Sequence, residues 1–129
     1  MTDICLGNEN ILLTVSGIDG SLKGLRKDNK DLILPAKRAF GMRLLDKTRN
    51  YRHFDSEDFP KFEILPSSSG SVIRSWSNCP ELPGMQLISR VTFDGINFRF
   101  RNQVRNLPEN WEFEMIDCPA LTVSESNEL

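Results

Sequence analysis

The chain has 129 residues, enough for one domain with a packed core and too few for two ordinary ones. Hydrophobic residues make up 39 % and charged residues 26 %, which argues against wholesale disorder. The net charge of −2 argues against a general nucleic-acid binder, which needs a cationic excess to displace counterions.

Residues Ile11, Leu13 and Val15 alternate with Leu12 and Thr14, the period-two signature of a strand. Gly17-Ile18-Asp19-Gly20 then supplies turn chemistry, because Gly tolerates positive φ. Leu22 and Leu25 follow, then a polar stretch from Arg26 to Asp31, then the short apolar run Leu32-Ile33-Leu34, ended by Pro35. Ala39 to Leu44 fits either period. Gly41 in its middle weakens a helix and favours a strand carrying Phe40, Met42 and Leu44. Lys47 to Pro60 is polar and reads as a long loop, after which Phe62 and Ile64 mark a brief strand closed by Pro66 and Ser67-Ser68-Ser69-Gly70.

In the second half, Val72, Arg74 and Trp76 alternate with Ile73 and Ser75, and Asn78 to Gly84, with two prolines, reads as a connection. Gln86 to Phe93, a two-residue Asp94-Gly95 turn and Ile96 to Val104 form the strongest hairpin signal. Its return strand points Ile96, Phe98 and Phe100 one way and Asn97, Arg99 and Arg101 the other. Trp111, Phe113 and Met115 alternate with Glu112, Glu114 and Ile116 in a last strand, with a short helix from Pro108 as the competing reading. Some eight to ten short strands without a long amphipathic helix predict an all-β, antiparallel β-sandwich over residues 8–121, with an N-terminal arm over 1–7 and a polar, frayed tail over 122–129.

Charge is distributed unevenly. Ser21 to Arg52 holds ten Lys/Arg against three Asp, a local +7, whereas Leu107 to Leu129 holds six acids and no base. Attraction between these two segments within one domain is the simplest expectation, and a basic surface for an anionic ligand is the sharper one. Cys5, Cys79 and Cys118 are odd in number and scattered, with no CxxC pair, so neither a disulfide framework nor a zinc site is expected. The N-terminus has no basic n-region and no apolar h-region, and no run of about eighteen apolar residues occurs. Neither a signal peptide nor a membrane contact is therefore expected, and a reducing cytoplasm is the expected setting.

No complete catalytic constellation emerges, and no cofactor is expected. His53 is the only histidine, and although Asp55, Glu57 and Asp58 lie near it, such a cluster in a polar segment reads as a solvated loop. Glu109, Glu112, Glu114 and Asp117 could be offered as a source of a glycosidase carboxylate pair, with Glu112 and Glu114 on one strand face, but alternating Glu ordinarily marks a solvent face. Gly17, Gly20 and Gly24 lack the spacing and the following Lys-Ser/Thr of a phosphate loop. Arg99 and Arg101 form a basic stripe suited to an anionic sugar or a neighbouring domain. Trp76 and Trp111 are candidates for stacking on a pyranose, although their apolar alternation also fits the core.

The run Asn10-Ile11-Leu12-Leu13-Thr14-Val15, Asp19-Gly20-Ser21-Leu22-Lys23-Gly24-Leu25, Leu32-Ile33-Leu34 and Met42-Arg43-Leu44-Leu45-Asp46 resembles the opening of galactose-mutarotase-like supersandwich domains. Such domains stand at the N-termini of many bacterial glycoside hydrolases. Trp76, Leu82-Pro83-Gly84, Val91-Thr92-Phe93-Asp94-Gly95, Phe98-Arg99-Phe100-Arg101-Asn102 and Cys118-Pro119-Ala120-Leu121 are similar to the same group. A full supersandwich is twice as long, so the resemblance implies half of one: an excised domain, a truncated product or a half-size relative. It implies a non-catalytic accessory sandwich that packs on a catalytic domain and helps shape its carbohydrate site. The family's catalytic carboxylates sit mainly on a following barrel, so none transfers here. The alternatives are a free-standing carbohydrate-binding module and an immunoglobulin-like interaction domain. Unpaired edges of a half sandwich would also invite a homodimer.

Overall fold

The computed structural model describes residues 2–123. Thirteen strands and one 3-10 turn make up the regular structure among these residues: β1 Ile4–Gly7, β2 Ile11–Val15, β3 Leu22–Lys27, β4 Lys30–Asp31, β5 Ile33–Leu34, β6 Gly41–Asp46, β7 Tyr51–Asp55, β8 Lys61–Leu65, β9 Ser71–Ser77, β10 Gln86–Phe93, β11 Phe98–Arg105, β12 Trp111–Asp117 and β13 Thr122–Val123. They form three antiparallel sheets in the orders β1-β2-β3-β4, β11-β10-β9-β8 and β12-β6-β7, plus a β13-β5 ladder. The sandwich-like, all-β fold expected from the alternation is what the chain adopts. No helix among the described residues is long and apolar enough to cross a membrane.

The β8–β11 sheet is the common wall of two apolar clusters, and its register explains how. On its inner face Val72 pairs with Val91 and Val91 with Phe100. This row packs on Leu6, Leu13, Val15, Leu22 and Ile33 of the first sheet and β5. Four positions further along each strand, Phe62, Trp76, Leu87 and Val104 form a second row. That row packs on Phe40, Met42, Leu44 and Phe54 beneath the β12-β6-β7 sheet. Between the two lies a third row with polar members: Ile64, Arg74, Ser89 and Asn102. Arg74 and Ser89 are both 0 % exposed, so the centre of this polar row is interior, while Asn102 at its β11 end is exposed.

Trp76 is the centre of the second cluster. It is 1 % exposed, meets Phe40 edge-on at 5.0 Å and Phe62 at 5.5 Å, and donates its indole N–H to the Asp19 carbonyl at 3.0 Å. Gly20 stands against it with φ +77°, and a Cβ there would lie 2.6 Å from the Phe62 ring and 2.7 Å from Trp76. Both the left-handed backbone and the aromatic approach require glycine at this turn.

Several local expectations are corrected. Of the N-terminal arm expected over 1–7, Ile4 to Gly7 form a strand that pairs with Val15 to Leu12 and places Leu6 in the core. Lys47 to Pro60 is not one loop. Asp46 accepts hydrogen bonds from Thr48 N, Thr48 Oγ1 and Asn50 N at 2.7–2.9 Å, which turns the chain within three residues and starts β7. β7 then buries only Phe54, so its pattern is too polar to advertise a strand. In the β10–β11 hairpin Phe93 pairs with Phe98, and Asp94 N bonds to Asn97 O. The turn therefore centres on Gly95-Ile96, with Gly95 at φ +99°, and Ile96 is 77 % exposed at the tip instead of on the strand. The Asp94 carboxylate fixes this register by accepting from Ile96 N and Asn97 N, which also holds its pKa below the usual carboxylate value. β12 forms as a strand, not a helix, but its register shifts between Phe113 and Met115, so the simple alternation fails there. Thr122–Val123 pair with β5 instead of joining a tail. The rest of that expected tail, 124–129, lies outside the described residues.

Candidate functional site

The basic stripe expected from the sequence lies on the outer face of the β8–β11 sheet. Alternation sends Arg99 and Arg101 outward while Phe98 and Phe100 turn to the first cluster. Register brings Arg90 of β10 directly opposite Arg101. Arg105 follows at the end of β11, where its guanidinium donates to Gln103 at 3.4 Å. These side chains border a groove of about 450 Å³ whose apolar lining is Leu65, Ile73 and Ile88.

The electrostatics of this face are unbalanced. Arg99 pairs with Asp94 at 3.4 Å, whereas Arg90, Arg101 and Arg105 have no ion-pair partner among the described residues. Like charges directly opposite on neighbouring strands cost roughly 0.2–1 kcal/mol. The guanidinium fork matches the geometry of a carboxylate or sulfate, and three exposed forks border an apolar floor here. Arg90 and Arg105 were missed in the sequence reading. Arg90 stands between Ser89 and Val91 within β10, and only its pairing with Arg101 shows that it belongs to the stripe.

The other candidates separate. Trp76 is closed to any ligand by Phe40, Phe62 and Gly20, so it cannot act as a sugar platform in this fold. Trp111 is half-buried, edge-on to Phe54 at 5.6 Å and covered by the Arg52 guanidinium at 5.9 Å. Its indole N–H is buried without a partner. The two indoles therefore present no coplanar pair of open faces.

His53 is exposed on β7, opposite Arg43. Its acidic neighbours are engaged in a 3-10 turn, where the Asp55 carboxylate accepts from Glu57 N at 2.8 Å and Asp58 reaches back to Asp55 N at 2.9 Å. No cluster of three or more His, Cys, Asp or Glu among the described residues suits a metal ion. Glu112 and Glu114 each face an arginine, Arg49 at 3.7 Å and Arg43 at 3.3 Å. The attraction between the basic and acidic segments is realised at these two contacts, where β12 lies beside β6.

A second surface lies on the outer side of β12-β6-β7. Tyr51 and Met115 are exposed there, opposite Leu45 and Arg43 of β6, with the Arg43 guanidinium 4.6 Å from the Tyr51 ring centre. A cleft of about 300 Å³ opens beside them, bordered by Arg38, His53, Asp55 and Asp117 around Gly41. Arg38 lies over Gly41, 3.3 Å from where a Cβ would stand, and pairs with Asp55 at 3.7 Å. Compared with known proteins, the chain matches no family model, no curated protein and no solved structure.

Proposed function

We propose that this chain is a non-catalytic accessory β-sandwich of a glycoside hydrolase-like protein, and that its cationic groove binds an acidic carbohydrate. The observation that carries this reading is the Arg90–Arg101 pair: two like charges held face to face, unneutralised, beside an apolar floor. A sheet face serving only solubility would intersperse acids and bases. Here the fold retains a repulsion that a carboxylated or sulfated ligand relieves. The apolar floor suits the C–H face of a pyranose, and the forks suit its acidic substituent. The exposed Tyr51 and Met115 on the β12-β6-β7 sheet support the accessory part of the reading, as the contact face for an adjacent catalytic domain.

Calorimetric titration of the purified chain tests the binding reading, with oligogalacturonate as the acidic probe, a neutral oligosaccharide of equal length as control, and polyglutamate as a non-sugar polyanion. Binding is expected for oligogalacturonate alone, weakening with salt and lost in Arg90→Gln/Arg101→Gln. Equal binding of the neutral sugar, or undiminished binding by the double variant, refutes the groove. Equal binding of polyglutamate refutes the carbohydrate assignment.

A further inference from the structure

The polar row inside the β8–β11 sheet holds a charge whose compensation is incomplete. Arg74 is 0 % exposed. Its Nη1 donates to the Gly20 carbonyl at 2.7 Å and its Nη2 to the Ser89 hydroxyl at 2.9 Å, both neutral acceptors, while its Nε is buried without a partner. No carboxylate among the described residues lies within ion-pairing distance of it. The Trp76 and Phe100 rings, 5.1 and 5.8 Å from the guanidinium carbon, offset part of this cost, but ring faces do not replace a counter-anion.

The group placed to become that anion is Cys118. Its Sγ is 4.0 Å from Arg74 Nη2, a distance at which a neutral thiol is a weak acceptor. Cys118 follows β12 as a half-buried residue packed against the second cluster. Burial pushes the thiol up, against the opposing pull of Arg74 and Ser89, so the thiolate is scarce at neutral pH.

We propose that Cys118 is a site of oxidative modification, where peroxide converts the thiol to a sulfinate that Arg74 holds as its counter-anion. In the first step the sulfur, losing its proton, attacks one peroxide oxygen. The O–O bond breaks, and the departing hydroxide takes up the proton as water, leaving a sulfenic acid. The same attack on a second peroxide gives the sulfinic acid and a second water, and the sulfinic acid then releases its proton. Sulfur is oxidised twice and two peroxides are reduced. An oxygen added on the Arg74 side falls within hydrogen-bond reach of a guanidinium from which sulfur itself stands off. The scarce thiolate makes the reaction slow, and the guanidinium makes its product stable.

The other two cysteines lack this environment. Cys5 is exposed, with only the Thr14 hydroxyl beside it at 3.7 Å. Cys79 is buried, with burial first and the charges of Asp58 and Glu81 besides raising its pKa, which disfavours an anion there.

The full chain is treated with hydrogen peroxide, the products are located by peptide mass spectrometry, and thermal midpoints are compared before and after. Two oxygens on Cys118 are expected, with a midpoint raised by several degrees, and no such rise in Cys118→Ala. A Cys118 left unmodified when Cys5 is fully oxidised overturns the proposal, as does a modified Cys118 whose midpoint is unchanged or lower. Cys118→Asp and Cys118→Asn form a second, chemistry-free comparison. Asp is expected to melt above Asn, because it supplies the carboxylate that Arg74 lacks, and the reverse order overturns the proposal.

Discussion

Removing one arginine from the groove is expected to stabilise the unliganded chain. Arg101 stands directly opposite Arg90, and both are exposed. Arg101→Gln keeps a polar, hydrogen-bonding side chain, though a shorter one, and removes one charge of the pair. The repulsion released is worth about 0.2–1 kcal/mol. For a domain of 129 residues, at about 3–6 °C per kcal/mol, the midpoint rises by about 0.6–6 °C. Salt supplies the internal control, because exposed charges are screened over about 10 Å at 0.1 M ionic strength. Differential scanning calorimetry in low and high salt should therefore show a gap between variant and wild type that shrinks as salt is added. Loss of oligogalacturonate binding in a more stable variant would separate a binding role from a folding one. A variant that melts below wild type in low salt, or a gap that ignores salt, refutes the reasoning about this pair.

Two further predictions concern the interior. Trp76→Ala removes a side chain 1 % exposed, two aromatic contacts and the hydrogen bond to the Asp19 carbonyl, and is expected to cost about 3–5 kcal/mol in urea unfolding; a loss under about 1 kcal/mol would deny Trp76 its central place. Asp19 should report on acid stability. Partial burial raises its pKa, but hydrogen bonds from the Ser21 hydroxyl, the Ser21 backbone and Ser16 outweigh that and leave it lowered. A carboxylate depressed on folding contributes stability that is present above its unfolded pKa, about 3.9, and lost as pH falls through the folded value. Asp19→Asn should therefore flatten the acid limb of a stability–pH curve and leave its slope above pH of about 5 unchanged; an unaltered acid limb would exclude Asp19 as a contributor.

What could be read from the sequence was whatever alternation alone decides. β2 and β10 were legible because one face is buried more deeply than the other, and β9 because Val72 and Trp76 mark its period although both of its faces are largely buried. Gly41 correctly argued against a helix at β6. β7 was missed because an edge strand that buries one residue in five carries little hydrophobic signal, and the Asp46 side chain that turns the chain into it looks like any other acid. The Gly95-Ile96 turn was misplaced by one residue because Asp94-Gly95 is good chemistry for a two-residue turn, while the carboxylate here caps the two amides beyond it. For the groove, Arg99 and Arg101 were readable from alternation, but Arg90 required a register no local pattern contains. Arg74 was placed in the right alternation with Val72 and Trp76, and nothing in its spacing announced burial at the junction of two cores.

The rims of the β8–β11 sheet bear on how the chain behaves when crowded. Its outermost strands, β8 and β11, both offer unpaired backbone groups to any passing strand. β8 is only five residues long, is flanked by Pro60 and Pro66, and carries Lys61 and Glu63 on the outside. β11 carries Arg99, Arg101 and Arg105, so a second copy laid against it would bring cation to cation. Proline stops, short length and like charge are the devices by which natural sheets avoid fusing edge to edge. They weigh against the edge pairing that a half sandwich invites. The arginines that suit an acidic ligand thus also act as gatekeepers against aggregation, and neutralising all of them would leave a long, β-rich margin open to self-templated growth.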